Sequence, residues 1–500
     1  MSGRILEGLQ PERVFYYFEE ISRIPRPSFK EKAISDYLVE FAKAHGLSCE
    51  QDEYYNVIIF RPASPGYEDC EPVILQGHMD MVCEKEPDCR KDMDREGLDL
   101  FVDGDFIGAR GTTLGGDDGI AVAIALALLE DETLSAPRLE FVCTSCEESG
   151  MEGASHVDLS SCQGRRLINI DSEEELVLTA GCAGGGRFSV TMPIRRVRED
   201  AGEWYALRIS GLTGGHSGQE IHKGRANANV LMVQLLRHIS QKMSLSLASF
   251  SGGDRDNVIP RESYAVFSVS EGTGEPLREM IQKETSRLKN EYLTTDPEMS
   301  IVLEPFQGTL LEKGQERADE EFALISPEDT GELIRLMLSM PNGVVRMQDL
   351  EQQIVETSLN FGIVQLEQDT LHLGYLLRSV DAGAYEALRE NMRFMAEGFG
   401  ATVEVRGEYP AWEFQKESPL REALSQIYEE QNQKSLSTFC IHAGLECGIL
   451  LAKLPGLDAV SIGPDIFDIH TPDERLSIAS VGREYRLIRE FLKRSGDSIC

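Results

Sequence analysis

Apolar positions recur along this chain in two registers, and the alternation between them predicts its architecture. Phe15, Phe18 and Ile21, then Ile34, Leu38 and Phe41, fall at helical spacing and predict two helices within residues 11–46. Short apolar runs at 55–60, 73–76, 139–144 and 167–170 predict strands, and a Gly/Ala-rich run at 119–129 predicts a buried helix. Strands alternating with helices point to an α/β fold with a mostly parallel sheet flanked by helices. At Gly181-Cys182-Ala183-Gly184-Gly185-Gly186 the texture changes, and the glycine run reads as a hinge or tight linker. Beyond it, amphipathic strands at 204–209, 263–269, 353–363 and 370–378 are interspersed with helices at 226–238, 277–288, 330–340 and 384–397. These predict an inserted α+β domain with an antiparallel sheet, built of two similar halves that divide near residue 300. From about 409 the first texture returns, with helices at 419–431 and 481–494 and a strand at 459–462. The expected domains are therefore 1–185 and 405–500 as one discontinuous unit, with 186–404 inserted as a lid.

Composition narrows the function. A chain of 500 residues is too long for a single core. With 49 Lys and Arg against 85 Asp and Glu, the net charge of −36 argues against nucleic acid and anionic membrane surfaces as partners. No apolar run reaches membrane-spanning length, since residues 120–129 supply about half of what is needed. The N-terminal stretch lacks a signal-peptide core, so the eleven cysteines read as reduced thiols of a cytoplasmic protein. Cys143 and Cys146 form a C-x-x-C at a strand end instead of a helix start, which argues against a redox role.

The chemistry concentrates in His78, Asp117, Glu148, Asp171 and His470, with Glu147 beside Glu148. Each follows an apolar run or sits in a Gly-rich loop, and in sheets of this kind active sites lie just beyond the carboxyl ends of the strands. Singly, each has an ordinary reading: a helix N-cap for Asp117, a turn former for Asp171, a solvated acidic pair for Glu147 and Glu148. Jointly they are the donor set of a two-metal hydrolase. Asp117 is positioned to bridge. Adjacent side chains in an extended segment diverge, so Glu148 can face a metal while Glu147 acts on water. Asp80, two residues after His78 on the same face, can orient its imidazole. His216 stands in Gly214-Gly215-His216-Ser217-Gly218, where flanking glycines permit close backbone approach to a ligand.

These motifs, in this order, resemble the zinc metallopeptidase superfamily of glutamate carboxypeptidase, tripeptidase, aminoacylase and carnosinase, and within it the aminoacyl-histidine (Xaa-His) dipeptidase branch. The resemblance runs through residues 76–85, 111–119, 147–154, 169–173, 211–229, 441–448 and 461–474, and so spans nearly the whole chain. It implies a zinc-exopeptidase-like fold and two divalent metal ions, zinc first with cobalt or manganese as alternatives. His78 and Asp171 would hold one ion and Glu148 and His470 the other, with Asp117 bridging, Asp80 orienting His78 and Glu147 as general base. His216 would polarise the scissile carbonyl; Arg378 would grip the terminal carboxylate and Asn257 would contact the substrate. His442 and Glu446 lie in His442-Ala443-Gly444-Leu445-Glu446-Cys447-Gly448, where Glu446 can pair with a dipeptide's α-amino group. The implied substrate is a small dipeptide ending in histidine. Alternatives are a tripeptidase, a broad dipeptidase, an N-acyl amino acid deacylase or a non-catalytic dipeptide-binding protein. A doubled insert would let His216 serve its own chain, whereas a single one would require a homodimer. Two departures stand out: Asp118 replaces the branch's usual asparagine, and Cys146 occupies a position often held by aspartate, which would expose activity to oxidation.

Overall fold

The computed structural model describes residues 4–197, 202–306, 324–349 and 354–496. The chain divides into two compact units: residues 1–182, 412–441 and 445–500 form the first, and 183–411 with 442–444 the second.

The first unit is built on an eight-stranded sheet in the order Ser48–Gln51, Val57–Arg61, Leu139–Thr144, Val73–His78, Arg166–Asn169, Asp458–Ser461, Val177–Cys182, Ser437–Ile441. Its four central strands run parallel, with antiparallel pairings towards both edges. The parallel register sets His78 opposite Thr144, Gln76 opposite Asn169, and Ser461 opposite Asn169, so the carboxyl ends of these strands align. Helices Glu12–Ile21, Lys32–Ala44, Gly116–Glu130 and Ile478–Arg494 contribute to its core through Phe15, Phe18, Leu38, Ile124, Leu128, Leu487 and Phe491. Gly116–Glu130 is apolar on every side, as befits a helix with no wet face. Where it meets the sheet, Gly77 leaves no room for a side chain: a Cβ would lie 2.5 Å from the Cβ of Ala121 and closer still to Asp118 Oδ2. Gly77→Ala is therefore expected to destabilise the protein by about 3 kcal/mol, as overpacking of a tight interior does. The midpoint of urea unfolding would show it, and an unchanged midpoint would refute it.

Glu484, on the helix Ile478–Arg494, is fully buried. Burial, with the nearby charge of Glu175, pushes its carboxyl up to about 8. Its proton is thus held more tightly in the folded chain than in the unfolded one, where a glutamate titrates near ~4.3. The sign follows: this contribution to stability is complete below pH ~4.3 and is lost as pH rises through about 8. Glu484→Gln should flatten that decline, worth roughly 2–5 kcal/mol over the interval. Denaturation midpoints at pH 5 and pH 8.5 test it; a parent and variant with the same pH dependence would exclude it.

The second unit holds a nine-stranded antiparallel sheet made of two βαββαβ halves. One runs Glu203–Ser210, helix Ala228–Ser240, Leu245–Gly252, Ser263–Val269, helix Gly274–Glu291, Ser300–Pro305. The other runs Gly184–Pro193, helix Pro327–Ser339, Ile354–Leu366, Thr370–Ser379, helix Ala382–Gly398, Thr402–Tyr409, with Gly343–Asp349 added beside its second strand. In each half the spatial strand order is 4-1-3-2, and the halves join through their second strands, Ser251 pairing with Gln365 and Gly252 with Val364. They are nested, because the first strand of the second half precedes the whole of the first. Residue 300 therefore marks the end of one half but not the start of the other.

The division between the two units, Cys182 to Ala183, falls within the glycine run, and its last three glycines are already strand. Gly184, Gly185 and Gly186 open a ten-residue strand and pair with Ser379, Arg378 and Leu377. A Cβ at Gly185 would lie 2.7 Å from the Leu377 carbonyl, so the glycines serve close strand approach. Among the described cysteines, Cys70 is disulfide-bonded, so the reading of all eleven as reduced thiols fails at that position.

Candidate active site

In the first unit, strand ends deliver the site. His78 closes its strand, Glu147 and Glu148 follow Thr144, Asp171 follows Asn169, and His470 comes from the loop after Ser461. Asp117 enters from the turn before the buried helix, where Asp117 and Asp118 are non-helical and joined by a cis peptide bond. One oxygen of Asp117 lies 3.0 Å from His78 Nε2 and the other 3.2 Å from His470 Nε2. Asp171 Oδ1 is 3.5 Å from His78 Nε2, and Glu148 Oε1 is 3.0 Å from His470 Nε2. Glu147 Oε2 stands 4.0 Å from His78 Nε2.

Asp80 organises this end of the sheet. Fully buried, it accepts the amide of Glu147 at 3.0 Å and of Glu148 at 3.3 Å, and the Ser28 hydroxyl at 2.8 Å, while its Oδ1 lies 3.3 Å from His78 Nδ1. Asp118 Oδ2 accepts the His78 amide at 3.1 Å.

The charges do not balance as they stand. Burial, joined by repulsion from Asp171, Glu148 and Glu446, pushes Glu147 well above the usual carboxylate range. Burial and the charge of Asp117 raise Glu148, and burial with Asp117 and Asp80 raises Asp171. Glu173, which the sequence reading passed over, is pushed up to about 8 by burial and then by Asp117 and Asp171. Burial opposes charge on both imidazoles, yet hydrogen bonds to the carboxylates raise both, His470 to about 11. A buried surplus of carboxylates around two imidazoles is what a bound cation neutralises. Three groups have donor atoms close enough to share an ion: Asp117, Glu148 and His470; His78, Asp118 and Asp171; His78, Glu147 and Glu148. The residues present therefore fit two divalent metals.

Glu446 lies behind this cluster, fully buried. Its Oε2 accepts Gln76 Nε2 and Thr144 Oγ1, both at 2.6 Å, and its Oε1 has no hydrogen-bond partner. Burial raises it to about 7. Cys146 is buried against Glu31, whose carboxylate accepts the thiol at 3.0 Å; burial and that bond push the thiol up to about 12. A thiol held in this way forms little thiolate at neutral pH, which argues against the expected oxidation sensitivity.

The second unit gathers His216, Arg378 and His442 around Gly218. A Cβ there would meet the His442 carbonyl, His216 Cε1 at 3.0 Å and Arg378 Nε at 3.3 Å. The Gln219 amide donates to His216 Nδ1 at 3.2 Å, which leaves Nε2 to carry the proton of the neutral ring. Arg378 donates from Nη1 to the Tyr409 hydroxyl at 2.9 Å, while its buried Nε lacks a partner. His442 Nε2 lies 2.7 Å from Ser358 Oγ, with Nδ1 unpartnered. Burial, then the charges of Arg378, His222 and His216, lower His442 to about 3, so it is neutral. Asn257, distant in sequence, is held next to Ser217 by its carbonyl, which accepts the Ser217 amide at 2.9 Å.

Sequence reasoning also missed Gln76, Thr144, Arg26, Glu31 and Glu474. The first two were visible as polar residues within apolar strand runs; the others give no local signal because their partners are distant in the chain.

Residues 74–494 match the family described as Peptidase family M20/M25/M40. The "Cytosol non-specific dipeptidase" of Escherichia coli (strain K12) is 37% identical over 490 residues, covering 98% of both sequences. The crystal structure of aminoacylhistidine dipeptidase from Vibrio alginolyticus is similar with a TM-score of 0.84 at 33% identity, over 98% of each chain. Aminopeptidase PepT from Bacillus cereus ATCC 10987 shares the fold at a TM-score of 0.55 and 15% identity, over 98% of this chain and 100% of that one.

Proposed function

The chain belongs to peptidase family M20/M25/M40, and we propose that it is a two-metal dipeptidase, zinc-dependent, acting on Xaa-His dipeptides in the cytoplasm. The observation that carries the reading is Asp117, whose two oxygens each meet a different imidazole at 3.0 and 3.2 Å. His78 and Asp171 would hold one ion and Glu148 and His470 the other, with Asp117 serving both. Two such ions, when bound, would supply Lewis-acid polarisation and a more acidic water molecule.

Glu147 is the general base. Its amide is fixed by Asp80, which holds its carboxyl 4.0 Å from His78 Nε2, beside the cluster, where it can take a proton from the attacking water and return it to the leaving amine. His216, with its proton on Nε2, donates to the developing oxyanion. Arg378 receives the terminal carboxylate through donors that include the unpartnered Nε. Asn257 and the neutral His442 complete substrate binding, and Glu446 Oε1, unpartnered but fully buried, would meet the α-ammonium group only where its surroundings open.

A broad dipeptide range is a second reading, favoured by the name of the E. coli relative. The deciding experiment is hydrolysis of β-Ala-His, Gly-His, Leu-Gly, Leu-Gly-Gly and an N-acetyl amino acid by zinc-loaded protein, with and without chelator. Chelator-sensitive cleavage confined to the Xaa-His pair is expected. Cleavage of Leu-Gly as well would keep the dipeptidase and discard the histidine preference. Two bound zinc ions without cleavage of any substrate would overturn the assignment.

A further inference from the structure

We propose that Glu474 is a positioning residue that sets the metal ligands, with Arg26 as its oppositely charged counterpart; the inference rests on the two-metal reading. Glu474 follows His470 by four residues and is 3% exposed. Its Oε2 accepts the amides of Leu114 at 2.7 Å and Gly115 at 2.9 Å, and its Oε1 those of Gly116 at 2.8 Å and Asp117 at 3.4 Å. Four successive amides thus converge on one carboxylate. They belong to the turn that opens the helix Gly116–Glu130, whose N-cap, Gly115, offers no side chain to cap it. A residue some 360 positions away in the chain takes over that task.

Ordinary capping needs one or two hydrogen bonds and no particular origin for the acceptor. Here the acceptor comes from the loop that carries His470, and the capped turn carries Asp117. The same bonds that satisfy the amides therefore fix the two side chains relative to each other. Arg26, 1% exposed, completes the arrangement from the carbonyl side. It donates from Nη1 to the carbonyls of Met79 and Asp80, both at 3.1 Å, and from Nη2 to that of Gly115. Three segments bearing ligands, the His78 strand end, the Asp117 turn and the His470 loop, are tied by two buried charges that touch none of the ligand atoms. Supporting partners of metal ligands commonly govern affinity by 10–100-fold (roughly) when lost.

Glu474→Gln keeps the side chain's size but turns an amide NH2 towards backbone donors. Zinc(II) affinity, read by competition with a chromogenic chelator on metal-stripped protein, is expected to fall roughly 10–100-fold while the far-UV spectrum stays that of the parent. Unchanged zinc affinity, whatever happens to thermal stability, would overturn the proposal, because a residue that only stabilises the fold would move Tm alone. A parent that binds no zinc would sink the two-metal reading instead. If Glu474→Gln does not fold, Glu474→Asp decides: the shorter side chain keeps the charge but draws the carboxylate back from the four amides. A several-fold loss of zinc affinity supports the clamp, and affinity equal to the parent's removes it.

Discussion

Glu147→Gln should lower kcat by about 10²–10⁴-fold and leave zinc content at the parent's level. The amide replacement keeps the length of the side chain and the backbone bond to Asp80 Oδ1 at 3.0 Å, so the loop should hold its course. What disappears is the capacity to take a proton. KM should change little, because the residue acts on water and not on the substrate's recognition groups. Metal analysis and steady-state kinetics on the same preparation settle the matter. Turnover equal to the parent's would move the base elsewhere, and joint loss of metal and activity would make Glu147 a ligand.

The second large effect is expected at Asp117. Asp117→Asn keeps the shape of the carboxylate but loses its charge and one of its two acceptor oxygens. Since one oxygen faces His78 and the other His470, both halves of the site should suffer at once. Zinc affinity is expected to drop by more than the roughly 100-fold that loss of a supporting partner costs. Asp171→Asn, in contact with His78 and not with His470 Nε2, should weaken one ion preferentially. Titration of the two variants side by side makes the distinction. Loss of a single ion in Asp117→Asn would show that this carboxylate does not bridge.

Much of this was legible in the sequence, for a physical reason. Strands of the central sheet are covered on both faces, so Leu139–Thr144 reads as a mostly apolar run, interrupted by Glu140, with the bounds the structure gives it. The ligands follow such runs because the carboxyl ends of parallel strands share one edge. Edge strands gave weaker signals: Ser48–Gln51 is largely exposed and carries no apolar period, and it was passed over. The linker reading of the glycine run leaves out the strand start at Gly184–Gly186, because a linker and a tight strand crossing ask for the same small residue and only the partners reveal the second. The nested halves escaped for a similar reason, since the strand that begins the second half is separated from the rest of it by the whole first half. Glu474 belongs to the motif around His470, yet nothing near it in sequence reveals which amides it meets.

The strand Asp458–Ser461 carries a consequence for biosynthesis. It sits inside the sheet, between Arg166–Asn169 and Val177–Cys182, and those neighbours leave the ribosome far earlier. At about 5–20 residues per second, the interval amounts to tens of seconds. Throughout it the nascent first unit has an open slot among its apolar strands, while residues 184–409 already contain every strand of their own sheet. The insert is therefore expected to mature before the unit that hosts it, and a chain arrested before Asp458 should present unpaired strand edges to chaperones and proteases.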